Sequence, residues 1–123
     1  MGGLIIGHEV GRAFGVPAIF TERDAEKKMV LRRGFTIPEG AKVVVIEDVV
    51  TTGGSTKEVV ELLRGMGANV LAAGSIIDRS GGTADVGVPR LALAELKVQS
   101  WKPEDCPLCR VGQPVIKPGS RPA

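Results

Sequence analysis

The sequence contains no tyrosine, one tryptophan and three phenylalanines. With aromatics at 3%, the stacking platforms that grip single-stranded nucleic acid are excluded, and the core has to be aliphatic. Charge of one sign is equally scarce. Sixteen Lys and Arg against fourteen Asp and Glu leave a formal net charge of +2, too weak a footprint for a dedicated DNA or RNA binder. No apolar run approaches the roughly 18 residues of a membrane span, and the first residues lack the basic and apolar pattern of a secretory leader. Two cysteines, Cys106 and Cys109, do not make a disulfide scaffold, so a reducing cytoplasm is the expected compartment.

Glycine is what the chain has in excess: 17 in 123 residues, about twice its usual share of roughly 7%. Hydrophobic residues at 43% and charged residues at 24% are those of a globular protein, and the length suits one domain. A core over 1–101 and an irregular tail of the same domain over 102–123 is the expected division, because five of the eight prolines lie beyond Lys102.

Helical spacing of apolar residues from Leu4 to Phe14, closed by Gly15, reads as a helix. Val16 to Phe20 reads as a short buried strand and Thr21 to Lys28 as an irregular charged stretch. Met29 to Phe35 reads as a hairpin arm. The β-branched run Val43-Val44-Val45-Ile46 reads as a strand over 42–48, covered on both faces. Val49 to Ser55 reads as a loop. Thr56 to Met66 carries a helical stripe ended by Gly67. Further strands are expected over 70–77 and within 88–96, with a loop at 78–83. Strand, helix and strand in alternation imply an α/β fold, a parallel sheet flanked by helices. In such sheets ligands bind beyond the carboxyl ends of the strands, which directs attention to the residues after Ile46 and Ile77.

The stretch Glu47-Asp48-Val49-Val50-Thr51-Thr52-Gly53-Gly54-Ser55-Thr56 carries the functional argument. A helix N-terminus offers unpaired N–H groups and a partial positive charge, which suit a phosphate. Gly53 and Gly54 let the backbone curl close to an anion, and Thr51, Thr52, Ser55 and Thr56 add hydroxyl donors. Glu47 and Asp48 repel phosphate but accept hydrogen bonds from sugar hydroxyls. Together they suggest a ribose phosphate. A Walker A loop needs a Lys that is missing between Glu47 and Thr56, and a dinucleotide fingerprint needs G-x-G-x-x-G. The plain alternative is a strand-to-helix turn whose Ser or Thr caps the helix.

The run from Glu47 to Ser55 resembles the phosphoribosyl pyrophosphate (PRPP) signature of the type I phosphoribosyltransferases. Within that family it is most similar to the orotate phosphoribosyltransferase branch. Thr21-Glu22-Arg23 with Leu31-Arg32-Arg33-Gly34-Phe35, Asp78-Arg79-Ser80-Gly81-Gly82, Cys106-Pro107-Leu108-Cys109 and Lys117-Pro118-Gly119-Ser120-Arg121 narrow the resemblance to that branch. The resemblance implies a Rossmann-like core and transfer of phosphoribosyl from PRPP to orotate, a step of pyrimidine synthesis. It also implies that Glu47 and Asp48 hold the ribose hydroxyls. Val49, Val50, Thr51, Thr52, Gly53, Gly54 and Ser55 would wrap the 5-phosphate, with Thr51 also touching orotate, and Arg79 would reach the orotate carboxylate. A basic loop with Arg23, Lys27 and Lys28 would close over pyrophosphate, often from the neighbouring subunit of a homodimer. Asp48 and one of Lys27 and Lys28 are the expected catalytic residues. Mg2+ would ride on the pyrophosphate, with no dedicated metal site on the protein.

Two departures qualify the match. Arg23 is followed by Asp24 where relatives have Lys, and the loop lacks a His. Met1-Gly2-Gly3 looks like the second half of the family's pyrophosphate-binding loop, so the chain is expected to be a fragment with little transferase activity of its own. A purine-type transferase and a non-catalytic PRPP-binding regulator are the alternative functions. His8 is expected on a helix surface. Arg32 and Arg33 are either phosphate contacts or a hairpin's solvent face. Cys106 and Cys109 are expected as two reduced thiols, since one C-x-x-C is half of a tetrahedral zinc site.

Overall fold

The computed structural model describes residues 2–99 and 101–114; the stretch Lys117 to Arg121 lies outside the described residues. In chain order the elements are α1 (Gly3–Phe14), β1 (Thr21–Arg23), β2 (Met29–Leu31), β3 (Lys42–Val50), α2 (Gly54–Gly65), β4 (Asn69–Asp78), β5 (Arg90–Glu95) and α3 (Pro107–Arg110). The sheet is three parallel strands in the order β3-β4-β5, and β1 and β2 form a separate antiparallel hairpin. Helix α2 makes the crossover from β3 to β4, as parallel strands require.

Local chemistry sets the helix ends. Gly15 takes the left-handed conformation at φ 66°, and Val16 N–H donates to Gly11 O at 3.0 Å. That is the bond pattern of a glycine C-terminal cap, which satisfies carbonyls the helix leaves free. Gly67, at φ 85°, turns the chain out of α2. The apolar stripe Val59, Val60 and Leu63 of α2 packs on Val45 of β3, Val70 and Ala73 of β4, and Val86. Val60 is fully buried. This aliphatic seam fixes the start of α2 against the carboxyl end of β3.

Several expectations need correction. Residues 16–20 form no strand, and Val16 and Ile19 are exposed. A strand needs a hydrogen-bonded neighbour, and neither sheet offers one to this segment. Thr21–Arg23, read as irregular, is instead the first arm of the hairpin; three residues are too few to display an alternation. The arms are joined by a turn built on Asp24, whose Oδ1 accepts N–H bonds from Glu26 and Lys28 at 2.9 Å each. Strand β3 runs on to Val50, so Val49 and Val50 are strand rather than loop, and both acids lie inside the strand. Helix α2 starts at Gly54, not Thr56. Strand β3 is not covered on both faces throughout, because Val44 remains 49% exposed. The tail contains one helical turn, α3. His8 is on the exposed surface of α1, 3.2 Å from Glu9, as expected.

Candidate functional site

The chain leaves β3 at Val50, bends through Thr51, Thr52 and Gly53, and enters α2. Gly53 sits at φ 82°, where L-residues with a Cβ are disfavoured. A Cβ there would meet Val86 Cγ1 at 3.0 Å and Asp85 O at 3.3 Å. The loop over residues 84–86 therefore braces the bend from beneath, and Lys57 Nζ ties that loop to α2 through Asp85 at 3.2 Å. Among the described residues no side chain caps α2, and its first turn holds no acid. Its leading N–H groups thus remain available to an anion.

The bend and the start of α2 enclose a cavity of about 80 Å³, lined by Glu47 and by residues 49–56. It therefore gathers Glu47, Val49, Val50, Thr51, Thr52, Gly53, Gly54 and Ser55 of the sequence-derived site. Asp48 is not on this wall. Asp48 lies against the start of α1, which also approaches Glu47. A Cβ on Gly2 would fall 1.6 Å from Asp48 Oδ2, and one on Gly3 would fall 3.1 Å from Glu47 Oε2. A side chain at Gly2 would force Asp48 to move, and this close approach sets the positive end of α1 beside two carboxylates. Burial, and then the negative charge of Asp48, push the Glu47 carboxyl above the usual carboxylate range. Ser75 stands opposite Glu47 in the β3–β4 register, and its buried hydroxyl has no partner among the described residues.

Arg79 follows β4. Its N–H donates to Val50 O at 2.8 Å, which places its backbone next to Thr51, and its exposed guanidinium has no hydrogen bond or ion pair among the described residues. The turn that carries it is anchored by Asp78, a fully buried carboxylate. Asp78 accepts from Ser80 N–H and Ser80 Oγ at 2.7 Å each and from Gly82 N–H at 2.9 Å. It also pairs with Arg90 of β5 at 2.6 Å. The hydrogen bonds from Ser80, together with Arg90, hold its carboxyl far below the usual range. Sequence reasoning missed Arg90, which has no local motif and meets Asp78 only through strand pairing.

A group with a depressed folded pKa stabilises the fold fully above its unfolded value, here 3.8, and that contribution is lost as pH falls through the folded value. The protein is therefore expected to lose stability as pH drops below about 4. In Arg90→Met, which strands a buried carboxylate, the melting temperature at pH 7 is expected to fall by several degrees. Denaturation followed by circular dichroism between pH 2 and 7 (a range spanning the carboxylate values) checks both. A wild-type melting temperature flat across that range would refute the role of Asp78.

Arg23 reaches from the hairpin to the cavity rim. Its guanidinium lies 3.4 Å from Ser55 Oγ, pairs with Glu58 at 2.8 Å and bonds Lys27 O. Lys27 and Lys28 sit exposed at the hairpin turn, Lys27 at φ 64°, and Lys28 pairs with Glu26 at 2.7 Å. The structure thus brings Arg23, but neither lysine, onto a residue of the bend. Arg32 and Arg33 both pair with Glu22, at 3.8 and 2.9 Å, so Glu22 occupies them on the hairpin. For the Mg2+ that the resemblance implies, the donor chemistry fits: Glu47 and Asp48 supply hard oxygens. No group of three or more His, Cys, Asp or Glu is available among the described residues, so such an ion would rely on ligand oxygens and water.

Residues 3–104 match the profile of the phosphoribosyl transferase domain. The chain is 54% identical, over 98% of its length, to orotate phosphoribosyltransferase of Carboxydothermus hydrogenoformans and spans 63% of that relative. Among solved structures it resembles orotate phosphoribosyltransferase from Aeropyrum pernix, with a TM-score of 0.63, 26% identity and coverage of 79% of this chain and 57% of the other. Adenine phosphoribosyltransferase from Thermoanaerobacter pseudethanolicus gives a TM-score of 0.60 at 17% identity, covering 78% of this chain and 66% of the other; at that identity the likeness is one of fold. With its family profile matched from α1 through β5 and its glycine- and hydroxyl-lined cavity at the β3–α2 junction, this chain belongs to the phosphoribosyl transferase domain family.

Proposed function

We propose that the chain is the PRPP-binding core of an orotate phosphoribosyltransferase, which transfers phosphoribosyl to orotate and releases pyrophosphate and orotidine 5′-phosphate in pyrimidine synthesis. One observation carries this reading: an acidic wall, Glu47, and an uncapped helix start with a hydroxyl-rich bend share a single cavity. A ribose phosphate needs those two chemistries at adjacent positions. The 5-phosphate accepts bonds from the first N–H groups of α2 and from Thr51, Thr52 and Ser55, each worth roughly 1.5–3 kcal/mol. Glu47, with Asp48 behind it, accepts from the ribose hydroxyls. Arg79 offers a planar fork to the orotate carboxylate, which a neutral purine base would not use.

In the reaction the C1–O bond to pyrophosphate breaks as a ring nitrogen of orotate bonds to C1, through an oxocarbenium-like transition state. This chain's residues act by positioning the two reactants and by neutralising the leaving group. Arg23, with Lys27 or Lys28, supplies positive charge when the hairpin closes over the pyrophosphate and excludes water. Mg2+ bound through PRPP would add charge neutralisation at the leaving oxygens. A homodimer with shared sites and a cytoplasmic location belong to the same reading.

The test is thermal shift with product nucleotides on the full chain. Orotidine 5′-phosphate is expected to raise the melting temperature more than inosine or adenosine monophosphate does, and Arg79→Ala is expected to erase that preference. Stronger stabilisation by a purine nucleotide would overturn the orotate assignment. A second reading is a PRPP binder without turnover. Orotate-dependent release of pyrophosphate separates the two.

A further inference from the structure

The cysteine pair lies outside the phosphoribosyl site, and the proposed reaction makes no use of it. Cys106 stands immediately before α3 and Cys109 lies within it. Pro107 occupies the first turn of α3, and Arg110 N–H donates to Cys106 O at 3.1 Å. That bond closes one helical turn around the two thiols. Cys106 precedes the turn with an extended backbone and Cys109 is its third residue, so the C-x-x-C spacing places both thiols at one end of a single short turn. Both cysteines are partly exposed and neither is oxidised.

The two thiols are chemically unequal. The neighbouring Cys109 N–H, and then the Cys109 thiol, favour the ionised form of Cys106 and hold its thiol below the ordinary range. The same contact with Cys106, together with burial, raises Cys109. Cys106 is therefore the more readily ionised of the two, the order expected of an attacking and a resolving thiol. Zinc requires four ligands. Among the described residues no other His, Cys, Asp or Glu completes even a group of three with this pair.

We propose that Cys106 and Cys109 form a dithiol–disulfide couple that reacts with low-molecular-weight disulfides. The Cys106 thiolate attacks one sulfur of the oxidant, breaking its S–S bond and expelling one thiolate. Cys109 then gives up its proton and attacks Cys106 Sγ in the mixed disulfide, expelling the second small thiol. The oxidant gains two electrons and both protons as two thiols, and the protein gains one S–S bond.

The experiment treats the reduced full chain with oxidised glutathione and follows intact mass and cysteine-containing peptides over time. Wild type is expected to lose two hydrogen atoms and retain no glutathione, with both cysteines in one cross-linked peptide. Cys109→Ser is expected to trap a glutathione adduct on Cys106. That adduct is expected to form about tenfold faster than the adduct on Cys109 in Cys106→Ser. A stable mixed disulfide on wild type, equal rates in the two variants, a cross-link between chains, or stoichiometric zinc shielding both thiols would each overturn the proposal. These readouts use no phosphoribosyl ligand, so they stand or fall apart from the proposed transferase function.

Discussion

Gly53→Val is expected to destabilise the chain by about 3 kcal/mol and to abolish binding of ribose 5-phosphate. Two effects add. A left-handed backbone with a Cβ costs roughly 1–2 kcal/mol, and it is least accessible to a β-branched residue. Forcing atoms into packed space costs a further 1–3 kcal/mol or so, and here the new Cβ would press on Val86 Cγ1 at 3.0 Å and on the backbone of Asp85 at 3.3 Å. Val86 is itself core, so it has little room to yield. The variant relieves its strain by swinging the start of α2, which moves the N–H groups away from the phosphate position. Gly7→Ala is the control: a Cβ at Gly7 meets nothing within 4 Å, and mid-helix alanine is expected to stabilise by about 0.5–1 kcal/mol. Urea unfolding and calorimetric titration with ribose 5-phosphate measure both consequences. A Gly53→Val protein with an unchanged midpoint would mean that the bend is not braced as described.

Glu47→Gln is expected to move stability and binding in opposite directions. The Glu47 carboxyl has a folded pKa above its ordinary value, because burial and the nearby Asp48 charge disfavour ionisation. The sign follows from linkage. Such a group supports the fold when protonated, below its unfolded pKa of 4.5, and that support is lost as pH rises through the folded value. Ionisation of Glu47 therefore opposes folding, and the neutral amide removes that opposition, so the melting temperature at pH 7 should rise. Binding should weaken about 5- to 10-fold, since a charged acceptor for the ribose hydroxyls, worth roughly 1.5–3 kcal/mol, becomes a neutral one worth roughly 0.5–1.5 kcal/mol. Asp48→Asn should weaken binding similarly. Calorimetry with PRPP alongside thermal melts separates the terms. If Glu47→Gln melted lower than wild type at pH 7, the acid would be structural and the proposed ligand role would lose its support.

The parts of the fold that were legible in the sequence are those whose signal is local. The β-branched run from Val43, the stripe through Val59, Val60 and Leu63, and the glycines at 15 and 67 each state their conformation within a few residues. The bend from Thr51 to Ser55 was legible for the same reason. The hairpin arm Thr21–Arg23 was not, because its pairing partner and the turn geometry of Asp24 decide it. Residues 16–20 have the composition of a strand without the neighbour that would make them one.

Sequence alone determined the chemistry on offer: an aliphatic core, an acid pair, a glycine and hydroxyl bend before a helix, and a paired set of thiols. Only the tertiary structure decided how these groups face one another. The docking of α1 sets its start beside both Glu47 and Asp48, of which Glu47 alone also lines the cavity. The ladder between β4 and β5 delivers Arg90 to Asp78, and the approach of the hairpin sets Arg23 on Ser55. Periodicity along a chain reports which face a residue takes, whereas contacts between distant residues depend on strand register and helix docking, which no local pattern encodes.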